Sequence, residues 1–428
     1  MFKFKPLVAA ILTVATAQAF AAENTSEQNQ HGINNNAEVL QSGGSGNFAT
    51  QNQSGFSNDA MVEQANSQAT TATQTQTGNF NNAESRQSGA LMTGSTQTQR
   101  GWGNDALVEQ TGTYKTGATQ NQKGVDNVAE TFQAGATMAN ATTNQDGKDN
   151  YGLITQTATF GSQAVVNQNG DLNNASITQL LSNNDRAAIT QQGVDNDAHV
   201  TQILSSGAIA EVEQSGWRND AMVSQTGVLH EAYVESHGSN NSVDVDQSGN
   251  AQNAFVLQHG VGNDSSIVQT NGWLGGNNTA TTEQSGIGNE ADVYQDGRNQ
   301  TAKTIQEGGF NVASVEQQGR GNDLHFHQDG TSNELNAVQH GSDNEIVGVS
   351  YGWGNSADLE QDGRDNLATV RQEGSLNDVM LSQSGADHLI KVTQNGVGNE
   401  AIASQAGYGN AAYINQSGWN NTALVTQQ

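Results

Sequence analysis

A glutamine returns every eleven or twelve residues from Gln30 to Gln427, and the residues between follow one pattern. The sets Gln53/Gly55/Asn58/Ala60/Gln64, Gln99/Gly101/Asn104/Ala106/Gln110 and Gln191/Gly193/Asn196/Ala198/Gln202 all read Q-x-G-x-x-N-x-A-x-x-x-Q. So do Gln284/Gly286/Asn289/Ala291/Gln295, Gln394/Gly396/Asn399/Ala401/Gln405 and Gln416/Gly418/Asn421/Ala423/Gln427. A short period held over a whole chain specifies stacked copies of one unit, each touching only its neighbours.

With the first Gln of a unit at position 0, Gly falls at +2, Asn at +5, Ala at +7, Val or Ile at +9 and the next Gln at +11. From +5 onward the marked residues alternate, which is the period of a strand with one buried face. A Gly in nearly every unit excludes a helix. Gly55, Gly101, Gly193, Gly286, Gly396 and Gly418 are predicted to supply the tight turns, because Gly accepts backbone angles closed to other residues. Up to Gln214 the spacing alternates between eleven and twelve, with the extra residue in the turn. Beyond it the spacing is eleven almost throughout, broken by an insertion around Asn271 to Gly276. Two strand-turn units per coil predict an all-β, flat β-solenoid of about 17 coils of 22–23 residues. At roughly 4.8 Å per coil the stack is about 80 Å long. Like residues then lie above like, as in a cross-β zipper, and the Gln and Asn form amide ladders worth about 1 kcal/mol per contact.

Only 33% of the residues are hydrophobic and the net charge is -28, which without the repeat would suggest disorder. There is no cysteine, which excludes disulfides and thiolate metal sites, and the only proline is Pro6, which leaves every later backbone amide free to pair. Met1 to Ala21 reads as a secretion signal: Lys3 and Lys5, an apolar run from Leu7 to Ala15, and Ala19-Phe20-Ala21 as a cleavage motif. That run is too short to span a bilayer, and no later segment could. Ala22 to Asn29 follows as a short leader, and residues 30–428 as one solenoid domain.

The repeat resembles that of the curlins, subunits of the curli amyloid fibres of Gram-negative bacteria. The family places a Ser or Asn six residues before the first Gln; Asn278 fills that slot before Gln284, Thr93 before Gln99, and Asp185 before Gln191. The chain looks like an expanded, major-subunit-like member. Ser236 and Ser350 stand where Gln is expected, and Ala158, Leu181 and Leu204 where Gly is. The resemblance implies a secreted, self-polymerising structural protein in an extracellular, cell-surface fibre serving biofilm, aggregation and adhesion. It further implies a curlin nucleator, an outer-membrane secretion pore, periplasmic chaperones and host matrix proteins as partners, with no nucleic acid and no cofactor.

Acidic residues recur at outward positions: Asp59, Asp105, Asp197 and Asp220 at +6, and Asp296, Asp329 and Asp362 at +1. They read either as a solvated face or as gatekeepers whose stacked charges slow assembly, the role the resemblance implies for Asp and Gly. Trp102, Trp217, Trp353 and Trp419 share position +3 with Phe56 and Tyr408, and are expected to pack over the turn edge. His325 and His327 point outward together, too few for a metal site. No off-pattern cluster of acid, base and nucleophile stands out, so an enzyme is not expected. The alternative is a soluble acidic solenoid acting as an adhesin or an ice-binding protein, for which Thr71, Thr73 and Thr75 offer one local patch. Such a protein needs capping segments. Here the first unit, Gln30 to Gln41, and the last, Gln416 to Gln427, are both fully formed, which favours polymerisation.

Overall fold

The structure, a computed structural model, describes residues 23–271 and 276–428. The signal segment read over Met1 to Ala21 lies outside the described residues, as does Trp273 of the insertion. Thirty-six strands follow one another, from β1 (Thr25–Ile33) and β2 (Asn36–Ser45) to β35 (Ala411–Trp419) and β36 (Thr422–Gln427), with no helix among the described residues. Odd-numbered strands form one 18-stranded ladder and even-numbered strands another. Every pairing is parallel and joins strands one coil apart, so the two sheets face each other in a solenoid of about 17 turns.

Register follows the glutamines. Gln53 lies on Gln76 in the 23-residue part and Gln394 on Gln416 in the 22-residue part. The change of period produces one bulge, between Ile203 and Ser206. Across the insertion Gln258 lies on Gln284, a step of 26, so the four extra residues leave the ladder in register. One boundary differs from expectation. β1 begins at Thr25, within the stretch read as a leader over Ala22 to Asn29, and pairs residue for residue with β3 (Phe48–Phe56). Ser26, Gln28 and Gln30 continue the alternation of Ala49, Gln51 and Gln53, and the strand follows from that.

Inward positions form columns running along the stack. Ala, Val, Ile and Leu from Ala141 to Ile414 make one continuous dry core. Before it, position +9 of the odd sheet carries Gln28, Gln51, Gln74, Gln97 and Gln120 in place of Val or Ile. They bond one to the next at 2.8–3.0 Å. The first coils thus hold an extra amide ladder where the later ones hold aliphatic side chains.

The glycines expected at the turns lie two residues before the bend. Gly55, Gly101, Gly193, Gly286, Gly396 and Gly418 are at strand ends, with φ between 113° and 135°. The bend itself falls at +4, where Ser57, Gly103, Asp195, Gly288, Gly398 and Asn420 have φ between 50° and 67°. The reason is close approach: a Cβ on Gly193 would stand 2.0 Å from the carbonyl oxygen of Gly216 in the next coil. The twelve-residue turns differ. Their +2 residues sit at φ 51–60°, a left-handed conformation that L-residues can enter, and Ala158, Leu181 and Leu204 occupy it at 52°, 53° and 52°.

Candidate functional site

The conspicuous construction is the pair of unbroken amide ladders. In the even sheet every Gln from Gln41 to Gln405 donates Nε2–H to Oε1 of the next Gln, the last being Gln427, at 2.7–3.2 Å. Gln64, Gln110, Gln202, Gln295, Gln405 and Gln427 belong to it. At the corner leading into that sheet, every Asn from Asn35 to Asn421 is joined to its neighbour at 2.7–3.3 Å. Asn58, Asn104, Asn196, Asn289, Asn399 and Asn421 belong to this one. The two run in opposite senses: Gln donates towards the C-terminal end, whereas Asn81 Nδ2 donates to Asn58 Oδ1, towards the N-terminal end.

A third ladder, in the odd sheet, holds Gln53, Gln99, Gln191, Gln284, Gln394 and Gln416. It breaks at the two serines that depart from the pattern. Ser236 and Ser350 donate onward to Gln258 and Gln372, at 3.4 and 2.7 Å. The column that holds Thr93, Asp185 and Asn278 is buried at the opposite corner. Asp185 there accepts from the Ala208 amide at 2.9 Å and from the Ser205 hydroxyl, and burial pushes its carboxyl up.

The acidic residues are not uniformly stacked. Asp59, Asp105 and Asp197 each accept from an asparagine one coil below (Asn36, Asn82 and Asn174) at 2.8–2.9 Å. Asp197 and Asp220 do lie directly on one another. Asp296 accepts from Thr270 at 3.2 Å, Asp329 lies on Glu307, and Asp362 lies between His340 and Ser384. Burial, then carboxylate neighbours, raise the pKa of Asp220 (beside Asp197), Asp244 (beside Asp246 and Asp264), Asp292 (beside Asp264) and Asp378 (beside Glu400). A hydrogen bond from His199 lowers that of Asp197.

Other outward residues fall as follows. Trp102 leans on Phe80, ring centroids 5.0 Å apart, and Phe80 on Phe56 at 5.4 Å. Trp217 carries the Arg218 guanidinium over its ring at 4.3 Å. Trp353, Tyr408 and Trp419 are 52%, 73% and 80% exposed. His325 pairs with Asp323 and His327 approaches Glu307, so the two do not converge on one point. The threonine patch is larger than the sequence suggested. Thr50, Thr73, Thr96, Thr119 and Thr142 form one column on five successive coils, which Val165, Ala188 and Glu211 then end.

One cluster escaped sequence reasoning. Ser215 on β17 (Ile209–Trp217) and His237 on β19 (Glu231–Ser239) face each other across the ladder, the Ser215 hydroxyl meeting His237 Nδ1. His237 Nε2 lies 2.5 Å from Glu235 Oε1, and Tyr233 donates to Glu235 Oε2 at 3.1 Å. The His237 contact, ahead of the Tyr233 bond, lowers the Glu235 pKa. Nothing in the local sequence joins Ser215 to His237; only the 22-residue step of the coil does.

The family comparison bears on the repeat itself. The curlin associated repeat matches residues 216–249, 238–270, 363–396 and 398–428. All four stretches lie where the spacing is eleven. A search of curated proteins returned no match. The chain thus carries the curlin associated repeat over these four stretches, and the other coils extend the same Gln and Asn columns, with Ser236 and Ser350 as the exceptions in the Gln column of the odd sheet.

Proposed function

We propose that the chain is the secreted structural subunit of a curli-like functional amyloid fibre. It grows by stacking the last coil of one molecule on the first coil of the next, outside the cell, in biofilm matrix, aggregation and adhesion. The observation that carries this reading is the opposed sense of the two unbroken ladders. At one end Gln427 donates only to the Ala411 carbonyl, and the Asn421 Oδ1 meets no donor among the described residues. At the other, Gln41 Oε1 meets no donor among the described residues, while Asn35 Nδ2 still donates to the His31 and Gly55 carbonyls. A second molecule stacked in register sets Gln427 on Gln41, Gln416 on Gln30 and Asn421 on Asn35. Each join then sets donor against acceptor, and Ala423 and Val425 meet Ala37 and Val39. Among the described residues β1 is exposed along its whole length, and the inward Ala423 and Val425 are only partly buried. Export through an outer-membrane pore, with chaperones and a nucleator, accompanies this role in the curlin family.

The acidic outer face of the even sheet sets the conditions of assembly. Asp220, Asp244, Asp292 and Asp378 have folded pKa values above that of an unfolded Asp, about 3.9. They bind protons more tightly folded than unfolded. The folded stack therefore gains stability as pH falls through the raised values towards the unfolded one, and loses it as pH rises again. Asp197 and Glu235 act in the opposite sense, and their contribution is lost only at pH values below the ordinary carboxylate range. The test follows thioflavin fluorescence and fibre diffraction of the mature chain at neutral pH, at about pH 5, and with added calcium. Fibres with a meridional reflection at roughly 4.7–4.8 Å are expected, with shorter lag times in acid and in calcium. A lasting monomer contradicts the fibre, and equal lag times contradict gatekeeping by the carboxylates.

A further inference from the structure

The geometry points to a hydrolytic site for small neutral aryl esters on the outer face of the odd sheet, with Ser215 as nucleophile and His237 as general base. The contacts satisfy the requirements of such a site. The hydroxyl touches one imidazole nitrogen and a carboxylate holds the other. His237 and Glu235 are 30% and 27% exposed, so the group is reachable yet shielded from bulk water. His259 on β21 (Asn253–Val261) stacks on His237, centroids 5.0 Å apart and rings 11° from parallel, which limits rotation of the base.

Two surface clefts flank the group. One of about 260 Å³ is bordered by Ala188, Glu213 and Tyr233, the other of about 170 Å³ by Leu257, His259 and Ile305. Trp217, 45% exposed, follows Ser215 by two residues on the same strand; the Arg218 guanidinium lies over one face of its ring, and the rest of its exposed surface is offered to an aromatic leaving group. Glu213 and Glu235 border the group, while Glu211 and Glu283 are paired with Arg186 and Lys303 at 3.0 and 2.7 Å, so the net charge beside Ser215 is negative and selects against anionic esters.

The reaction balances without a metal or a cofactor. Ser215 Oγ bonds to the ester carbonyl carbon while its proton passes to His237 Nδ1. The tetrahedral adduct collapses, the bond to the aryloxy oxygen breaks, and His237 returns the proton to the leaving phenol. Water then attacks acyl-Ser215, its proton moves through His237 to Ser215 Oγ, and the carboxylic acid departs. Glu235 is a positioning residue that orients the imidazole and stabilises its protonated form. On an open sheet face the expected acceleration is at the lower end for general-base catalysis, about 10²-fold over free imidazole.

The full mature chain is assayed for release of p-nitrophenol from p-nitrophenyl acetate, alongside labelling by a fluorophosphonate located by mass spectrometry. Ser215→Ala and His237→Ala are each expected to lose about tenfold or more of the rate. The label is expected on Ser215 and is lost in His237→Ala. Glu235→Gln lowers kcat with KM unchanged, and Glu235→Asp restores part of it. His325→Ala, which removes an outward imidazole on the distant strand β27 (Asp323–Thr331), retains activity, and this separates the site from hydrolysis by any surface imidazole. Circular dichroism of each variant checks that the coils are intact. Activity that survives Ser215→Ala, or a chain whose Ser215 takes no label, overturns the assignment.

Discussion

Gly193→Ala is expected to destabilise the stack by about 3–5 kcal/mol, the sum of a forbidden backbone conformation and an overpacked contact. The residue has φ 122°, and its new Cβ would stand 2.0 Å from the Gly216 carbonyl oxygen and 2.9 Å from the carbonyl carbon. Neither atom can yield, because Gly216 is held in register by Gly193 below and by Gly238 above. Gly112→Ala is the matched control. Its φ is 60°, nothing lies within 4 Å of the new Cβ, and its cost is about 1 kcal/mol. Hydrogen exchange of the ladder amides around each position measures both. Equal protection in the two variants contradicts the close-approach argument.

Gln202→Ala is expected to cost about as much, by a different route. Gln202 accepts from Gln179 at 2.8 Å and donates to Gln225 at 2.9 Å and to the Arg186 carbonyl at 3.1 Å. Alanine leaves a buried donor on Gln179 and a buried acceptor on Gln225 unpaired, each worth about 1–3 kcal/mol, and leaves a cavity between the sheets. The chain contains the milder version of this break at Ser236, where Gln214 finds no amide above it. Ser236→Gln rejoins Gln214 to Gln258 and is expected to stabilise by about 1 kcal/mol. Denaturant midpoints of the two variants, moving in opposite directions from the parent chain, are the measurement. A destabilised Ser236→Gln would mean that the ladder is not the stabilising element there.

Much of this was legible because the strand period is two and the coil period is an even number of units, so each inward residue type recurs in its own column. Gln53, Asn58 and Gln64 could be set inside from their spacing alone. The essential glycines could not be told from the permissive ones. Gly193 and Gly112 both sit at +2, and only the turn geometry separates a φ of 122° from one of 60°. The direction of a ladder is equally invisible in sequence, since an amide donates and accepts at one position. Gln28 to Gln120 were passed over because a polar residue at a core position reads as an exception until its neighbours are seen to bond to it. Ser215, Glu235 and His237 were missed for the same reason: their proximity is created by the coil step and not by the local motif.

The central claim, growth by in-register stacking of end on end, is tested most directly by cross-linking. The chain has no cysteine, so introduced thiols are unambiguous. Ser417 on β35 and His31 on β1 occupy the same outward column at opposite ends. In a stacked pair their Cα atoms are about 4.8 Å apart, inside the range a disulfide spans. Fibres grown from equal parts Ser417→Cys and His31→Cys chains and then oxidised are predicted to give mixed dimers joining position 417 to position 31. Dimers joining 417 to 417, or none, would contradict the account.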